Sequence, residues 1–230
     1  MWECKSRARL VVIVALLAGA ASAAAEPPRL DLVWVDPTDI ATGTFPTVAA
    51  QSRALLAATG ANVTWTAAPH GASVGPESLV VIALPTYPKS RSPDRHVMGS
   101  TRTVAEGARA VWVFPDQVAW ALGLDLKMRR SWGEGAEINF ARALARVASH
   151  EVLHALGVAT HSRSGLMAAR LDRNALTAPL IRIDRATMAS LRLALDREAW
   201  SAARSWTPAL RHDAPFAAAA ELLAVPGPSH

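Results

Sequence analysis

The chain has 230 residues, 51% of them hydrophobic, and carries 24 Lys and Arg against 19 Asp and Glu, a net charge of +5. That length supports one core of ordinary size. The positive excess is mild and its arginines are scattered, which argues against a nucleic-acid-binding patch. The single cysteine, Cys4, leaves no intramolecular disulfide to hold a fold together.

Residues 1–25 read as a targeting segment. Lys5, Arg7 and Arg9 precede the apolar run from Leu10 to Ala21, and the small residues Ala21-Ser22-Ala23-Ala24-Ala25 follow it. This is the pattern of a cleavable secretory signal, so a secreted or periplasmic location is expected. The apolar run falls short of the ~20 residues that span a bilayer, and no stable membrane span is expected after cleavage. Cleavage would remove Cys4, and with Lys5, Arg7, Arg9 and Glu3 it would take two net positive charges, leaving +3. The remaining donors for a metal are nitrogen and oxygen. A single catalytic domain is expected over 26–206, followed by a loosely packed Ala/Pro-rich tail, 207–230.

Within that domain the first strand candidate is Leu30–Val35, set between Pro28 and Pro37. Val48–Thr59 is rich in Ala and Leu and stops at Gly60, the mark of a helix with a C-terminal glycine. Val63–Thr66 and Ser78–Leu84 read as further strands, and the polar, proline-broken stretch 85–94 as a loop. Ala108–Phe114 is the next strand, ended by Pro115-Asp116; it is either a sheet edge beside the site or a plain interior strand. Val118–Leu124 suggests a short helix, and Gly133-Glu134-Gly135 a loop.

A long helix is then expected from about Ala136 to Leu156, with Ile138, Ala141, Leu144, Ala148 and Val152 at spacings of three and four. Arg185–Ala203 repeats that pattern with Met188, Leu191, Leu195 and Ala199. Strands first, then a long helix and a closing helix describe an α+β domain.

The chemistry is concentrated at the end of the long helix, in His150-Glu151-Val152-Leu153-His154-Ala155-Leu156-Gly157 and the following Val158-Ala159-Thr160-His161. Four residues apart on a helix, His150 and His154 project from one face a turn apart and can reach one metal ion. Glu151 beside them is placed to take a proton from a water at that ion. Gly157 can stop the helix without steric cost and turn the chain back, bringing His161 toward the same point.

The extended pattern, with Gly165-Leu166-Met167 shortly after His161, resembles the metzincin clan of zinc endopeptidases, whose motif is His-Glu-x-x-His-x-x-Gly-x-x-His followed by a methionine-bearing turn. The resemblance covers about 20 residues. It implies one zinc ion held by His150, His154 and His161, Glu151 as catalytic base, and Met167 beneath the metal. It further implies a zincin-like mixed sheet packed on the metal helix and hydrolysis of a protein or peptide substrate. This chain has three residues, not two, between Gly157 and His161. Thr160 stands in the strict family position, but a neutral hydroxyl is a poor zinc ligand beside imidazole.

Two other readings stand beside this one. A zinc peptidase of another clan would take its third ligand from Asp172, Asp184, Asp196 or Glu198; an exported zinc-binding module would use the same histidines without turnover. The remaining histidines, His70, His96, His212 and His230, lack ligand spacing and read as solvated. A monomer is expected.

Overall fold

The computed structural model describes residues 27–68, 78–85, 96–103 and 109–195. The expected signal segment 1–25, the tail 207–230, most of the loop 85–94 and residues 196–203 of the last expected helix lie outside them, as do His70, His212, His230, Asp196 and Glu198.

Strand β1, Arg29–Val35, turns Leu30, Leu32 and Trp34 into the core at alternate positions, as a strand with one face packed must. Helix α1, Phe45–Ala57, follows. It starts three residues ahead of the expected Val48 because Pro46 lies in its first turn, where a fixed φ and a missing N–H cost nothing. After Gly60, whose φ is +82°, β2 (Asn62–Ala67) runs parallel to β1, and β3 (Leu79–Ala83) lies parallel on β1's other side.

Strands β4, Gly99–Thr103, and β5, Arg109–Val113, complete a five-stranded sheet of order β2-β1-β3-β5-β4. All neighbours are parallel except β4 and β5, which are antiparallel. Of the two places open to the strand expected at 108–114, the structure takes the interior one, between β3 and β4, with Val111 and Val113 fully buried. The edge is β4, whose Gly-Ser-Thr-Arg-Thr has no apolar run to announce it.

Helix α2, Pro115–Ala121, likewise has a proline in its first turn and begins earlier than the expected Val118. A 3₁₀ turn over Leu126–Ser131 leads to the long α3, Glu134–Ala155, whose N-cap is Gly133. Short α4, Arg173–Thr177, and α5, Arg185–Leu195, close the described chain. One face of the sheet packs on α1 and α3, joining Leu32, Trp34 and Val81 to Val48 and Leu56 of α1 and to Leu144, Val147 and Leu153 of α3. Ile138, expected at the head of the α3 stripe, is exposed; Phe140 takes the buried position, its ring edge-on to Trp132 at 5.2 Å. On the other face Leu84, Trp112 and Phe114 form a smaller cluster.

The result is an α+β arrangement, a mixed sheet packed on one long helix with a closing C-terminal helix. Among the described residues no helix is long and apolar enough to cross a membrane.

Two arginines tie α4 to α3. Buried Arg146 donates from its guanidinium to the carbonyls of Ala175 and Ala178, and Arg142 donates to Thr177 O at 2.9 Å. Cations at the end of a short helix satisfy carbonyls that have no partner of their own.

Candidate metal centre

The last turn of α3 carries His150 and His154, ring centroids 4.7 Å apart. The helix then stops in two hydrogen bonds: Gly157 N–H donates to His154 O at 3.0 Å and Val158 N–H to Leu153 O at 3.0 Å. With Gly157 at φ +102°, this is the Schellman stop that a glycine allows. Val158 is drawn inward and buried, while Ala159 and Thr160 are exposed. Residues 158–160 thus carry the chain round to His161, whose Nε2 lies 3.2 Å from His154 Nε2.

Beneath the histidines, residues 162–168 form a tight loop. Ser162 N–H donates to Met167 O at 2.8 Å, and Leu166 N–H to Arg182 O at 2.8 Å. Gly165 has φ +82°, and a Cβ there would stand 2.5 Å from Arg182 O, so no other residue fits without moving backbone. Leu166 and Met167 are fully buried.

Hydrogen bonding fixes which ring nitrogens face the centre. His150 Nδ1 lies 2.7 Å from Leu166 O, and His154 Nδ1 2.6 Å from Val158 O. A carbonyl only accepts, so both Nδ1 atoms carry the proton. Burial pushes His150 down to about 4, against the raising effect of its bond to Leu166, and burial likewise lowers His154. Both rings are therefore neutral at pH 7, and each presents a bare lone pair at Nε2.

Those two Nε2 atoms are 3.1 Å apart, and His161 Nε2 stands beside them. Lone pairs facing one another at that distance repel unless a cation lies between them. Three nitrogens about 2.0–2.1 Å from one tetrahedral zinc would be spaced about 3.3 Å apart. Among the described residues these three histidines are the one group of His, Cys, Asp and Glu gathered tightly enough for a metal ion. The donor set, three imidazoles of which two have their Nδ1–H held by a backbone carbonyl, suits zinc.

The acidic candidates stand elsewhere. Asp172 caps α4, accepting from Ala175 N–H at 2.7 Å, and Asp184 caps α5, accepting from Thr187 N–H at 2.9 Å. Neither belongs to the histidine group.

Glu151 is buried on the side of α3 that meets β4. Thr101 Oγ1 lies 2.9 Å from Glu151 Oε2 and 2.7 Å from Glu151 O, so one strand hydroxyl addresses both the carboxylate and the backbone of the same residue. Burial raises the Glu151 carboxyl to about 7, with the bond from Thr101 acting in the opposite direction. A cation at the histidines would pull it down again. Strand and helix meet so closely here that a Cβ on Gly99 would fall 2.6 Å from Glu151 Cγ and 2.9 Å from Val147 Cγ1. Gly99 and Thr101 escape sequence reading because neither sits in a motif.

Histidines and glutamate open into one cleft of about 940 Å³, lined by β4, the end of α3 and residues 168–173. His96, exposed as expected, also lines it, its ring edge-on to Trp120 with centroids 5.3 Å apart.

No family model matches the chain, and no curated protein matches it in sequence. Among solved structures it is similar to archaemetzincin from Methanopyrus kandleri, with 13% identity and a TM-score of 0.46, over 74% of this chain and 97% of that one. Overlap and identity at that level bear on neither activity nor ligand.

Proposed function

We propose that this protein is an exported zinc-dependent endopeptidase, with one zinc ion held by His150, His154 and His161 and with Glu151 as the base. The observation that carries the reading is the convergence of three Nε2 atoms, His154's 3.1 Å from His150's and 3.2 Å from His161's, beside a buried carboxylate and inside an open cleft. Export rests on the charge and hydropathy pattern of residues 1–25.

Bound at the triad, zinc would supply a Lewis acid that makes water acidic near neutral pH and polarises a carbonyl. The chain's own groups do the rest. Leu166 O and Val158 O hold two imidazoles in the tautomer that presents Nε2. Thr101 fixes the rotamer of Glu151, whose carboxylate takes the proton of the attacking water and passes it to the leaving amine. Edge strand β4 offers its free side to an extended peptide backbone along the cleft. Met167, fully buried next to the Leu166 whose carbonyl holds His150, takes the role of the metzincin turn methionine.

Incubating the zinc-loaded mature protein with unfolded casein tests this reading. Cleavage is expected, with loss on chelation and return on adding zinc. Glu151→Gln should keep its zinc yet retain less than about 1% of the rate, since an amide cannot accept the proton. Equal cleavage after complete chelation, or a Glu151→Gln variant of near wild-type rate, would defeat it.

A further inference from the structure

Past the metal helix the charge balance changes sharply. Between Gly157 and Leu195 there are six arginines, no lysine, no glutamate and only two aspartates. Both aspartates are already engaged as helix caps, Asp172 at α4 and Asp184 at α5. All six arginines, at 163, 170, 173, 182, 185 and 192, are exposed, and none has an ion-pair partner among the described residues. Two of them, Arg170 and Arg173, line the cleft itself, within twelve residues of His161. Asp172, which turns its carboxylate to the Ala175 N–H, and buried Glu151 also line it, and the stretch from His96 to Thr101 adds no further acidic residue.

An arginine without a carboxylate of its own chain presents a planar fork that fits one from elsewhere. Two such forks in a cleft also concentrate the positive field there and favour the arrival of anionic ligands. On this basis, and resting on the peptidase reading above, we propose that Arg170 and Arg173 form a carboxylate-recognising subsite, and that the substrate is a peptide carrying acidic side chains beside the scissile bond. A peptide rather than a nucleic acid is indicated because, among the described residues, the cleft is bordered by the outer edge of the sheet, which recognises extended backbone, and Trp120 is the one large aromatic surface there for a base to stack on.

Two unstructured fluorogenic peptides of equal length, one rich in Asp and Glu and the other in Lys, separate the possibilities. Zinc-loaded wild type should cleave the acidic peptide with at least a tenfold higher kcat/KM, falling to about twofold in 0.5 M salt as screening shortens. Arg170→Glu with Arg173→Glu should reverse the order. Arg163→Glu with Arg185→Glu, which alters the same net charge outside the cleft, should leave the preference in place. Binding of both peptides to zinc-loaded Glu151→Gln, read by fluorescence anisotropy, gives the preference without turnover. A wild type that cleaves neither peptide therefore counts against the peptidase reading alone. Equal binding of the two peptides, equal loss of preference in both charge-reversal variants, or tighter binding of a single-stranded oligonucleotide of the same charge would overturn the acidic subsite.

Discussion

Thr101 has one proton to give and two acceptors on the same residue, Glu151 O at 2.7 Å and Glu151 Oε2 at 2.9 Å. It is a positioning residue, acting on the reaction through the carboxylate it orients. Thr101→Val keeps the shape and removes the hydroxyl, so kcat should fall about tenfold, the size of one net hydrogen bond, with KM little changed. Thr101→Ser should restore most of the rate. If valine and serine behave alike, the contact only packs the strand on the helix. The residues that announce themselves in the sequence are those with fixed spacing on one element: His150, Glu151 and His154 follow from the helical period. Thr101 and Gly99 lie about 50 residues away, and only the fold brings them to Glu151. The fit of Gly99 is a matter of 2.6 Å between two elements, which no local pattern records.

Among the elements, α3 carries more than the metal motif. Arg146 is 3% exposed, has no carboxylate partner among the described residues, and is pushed down to about 10 by burial; it stays charged at pH 7 and serves the carbonyls of Ala175 and Ala178. Arg146→Ala leaves those carbonyls unpartnered, at about 1–3 kcal/mol, and should lower the Tm by on the order of 5 °C while the metal content stays the same. A Tm within a degree of wild type would show that water or a neighbour replaces the guanidinium.

The sequence made α3 legible through its apolar spacing, and β1 and β3 through their apolar content. Three features were less so. Helix α1 takes Pro46 into its first turn, and α2 begins at Pro115, which in the sequence reads as the end of the preceding strand. Strand β4, Gly-Ser-Thr-Arg-Thr, is small and polar, because an edge strand needs no apolar run. The place of β5 beside β4 is a matter of strand order, which depends on pairings distant in sequence.

For the molecule as a whole, the proposed metal centre ties chemistry to stability. Its histidines come from α3 and from the loop that Gly157 begins, and the Leu166 carbonyl that holds His150 belongs to a third segment. Zinc binding the folded form alone adds about 2.7 kcal/mol when free metal exceeds the Kd a hundredfold, so stripping it should lower the Tm by several degrees. An unchanged Tm across a zinc titration would mean that the three rings do not share an ion. The central claim is that they do, and elemental analysis of the purified mature protein addresses it most directly. One zinc per chain is predicted for wild type and for Glu151→Gln, with loss of that zinc in His150→Ala, His154→Ala and His161→Ala. Stoichiometric zinc retained by any of the three alanine variants, or none in the wild type under zinc-replete conditions, would contradict it.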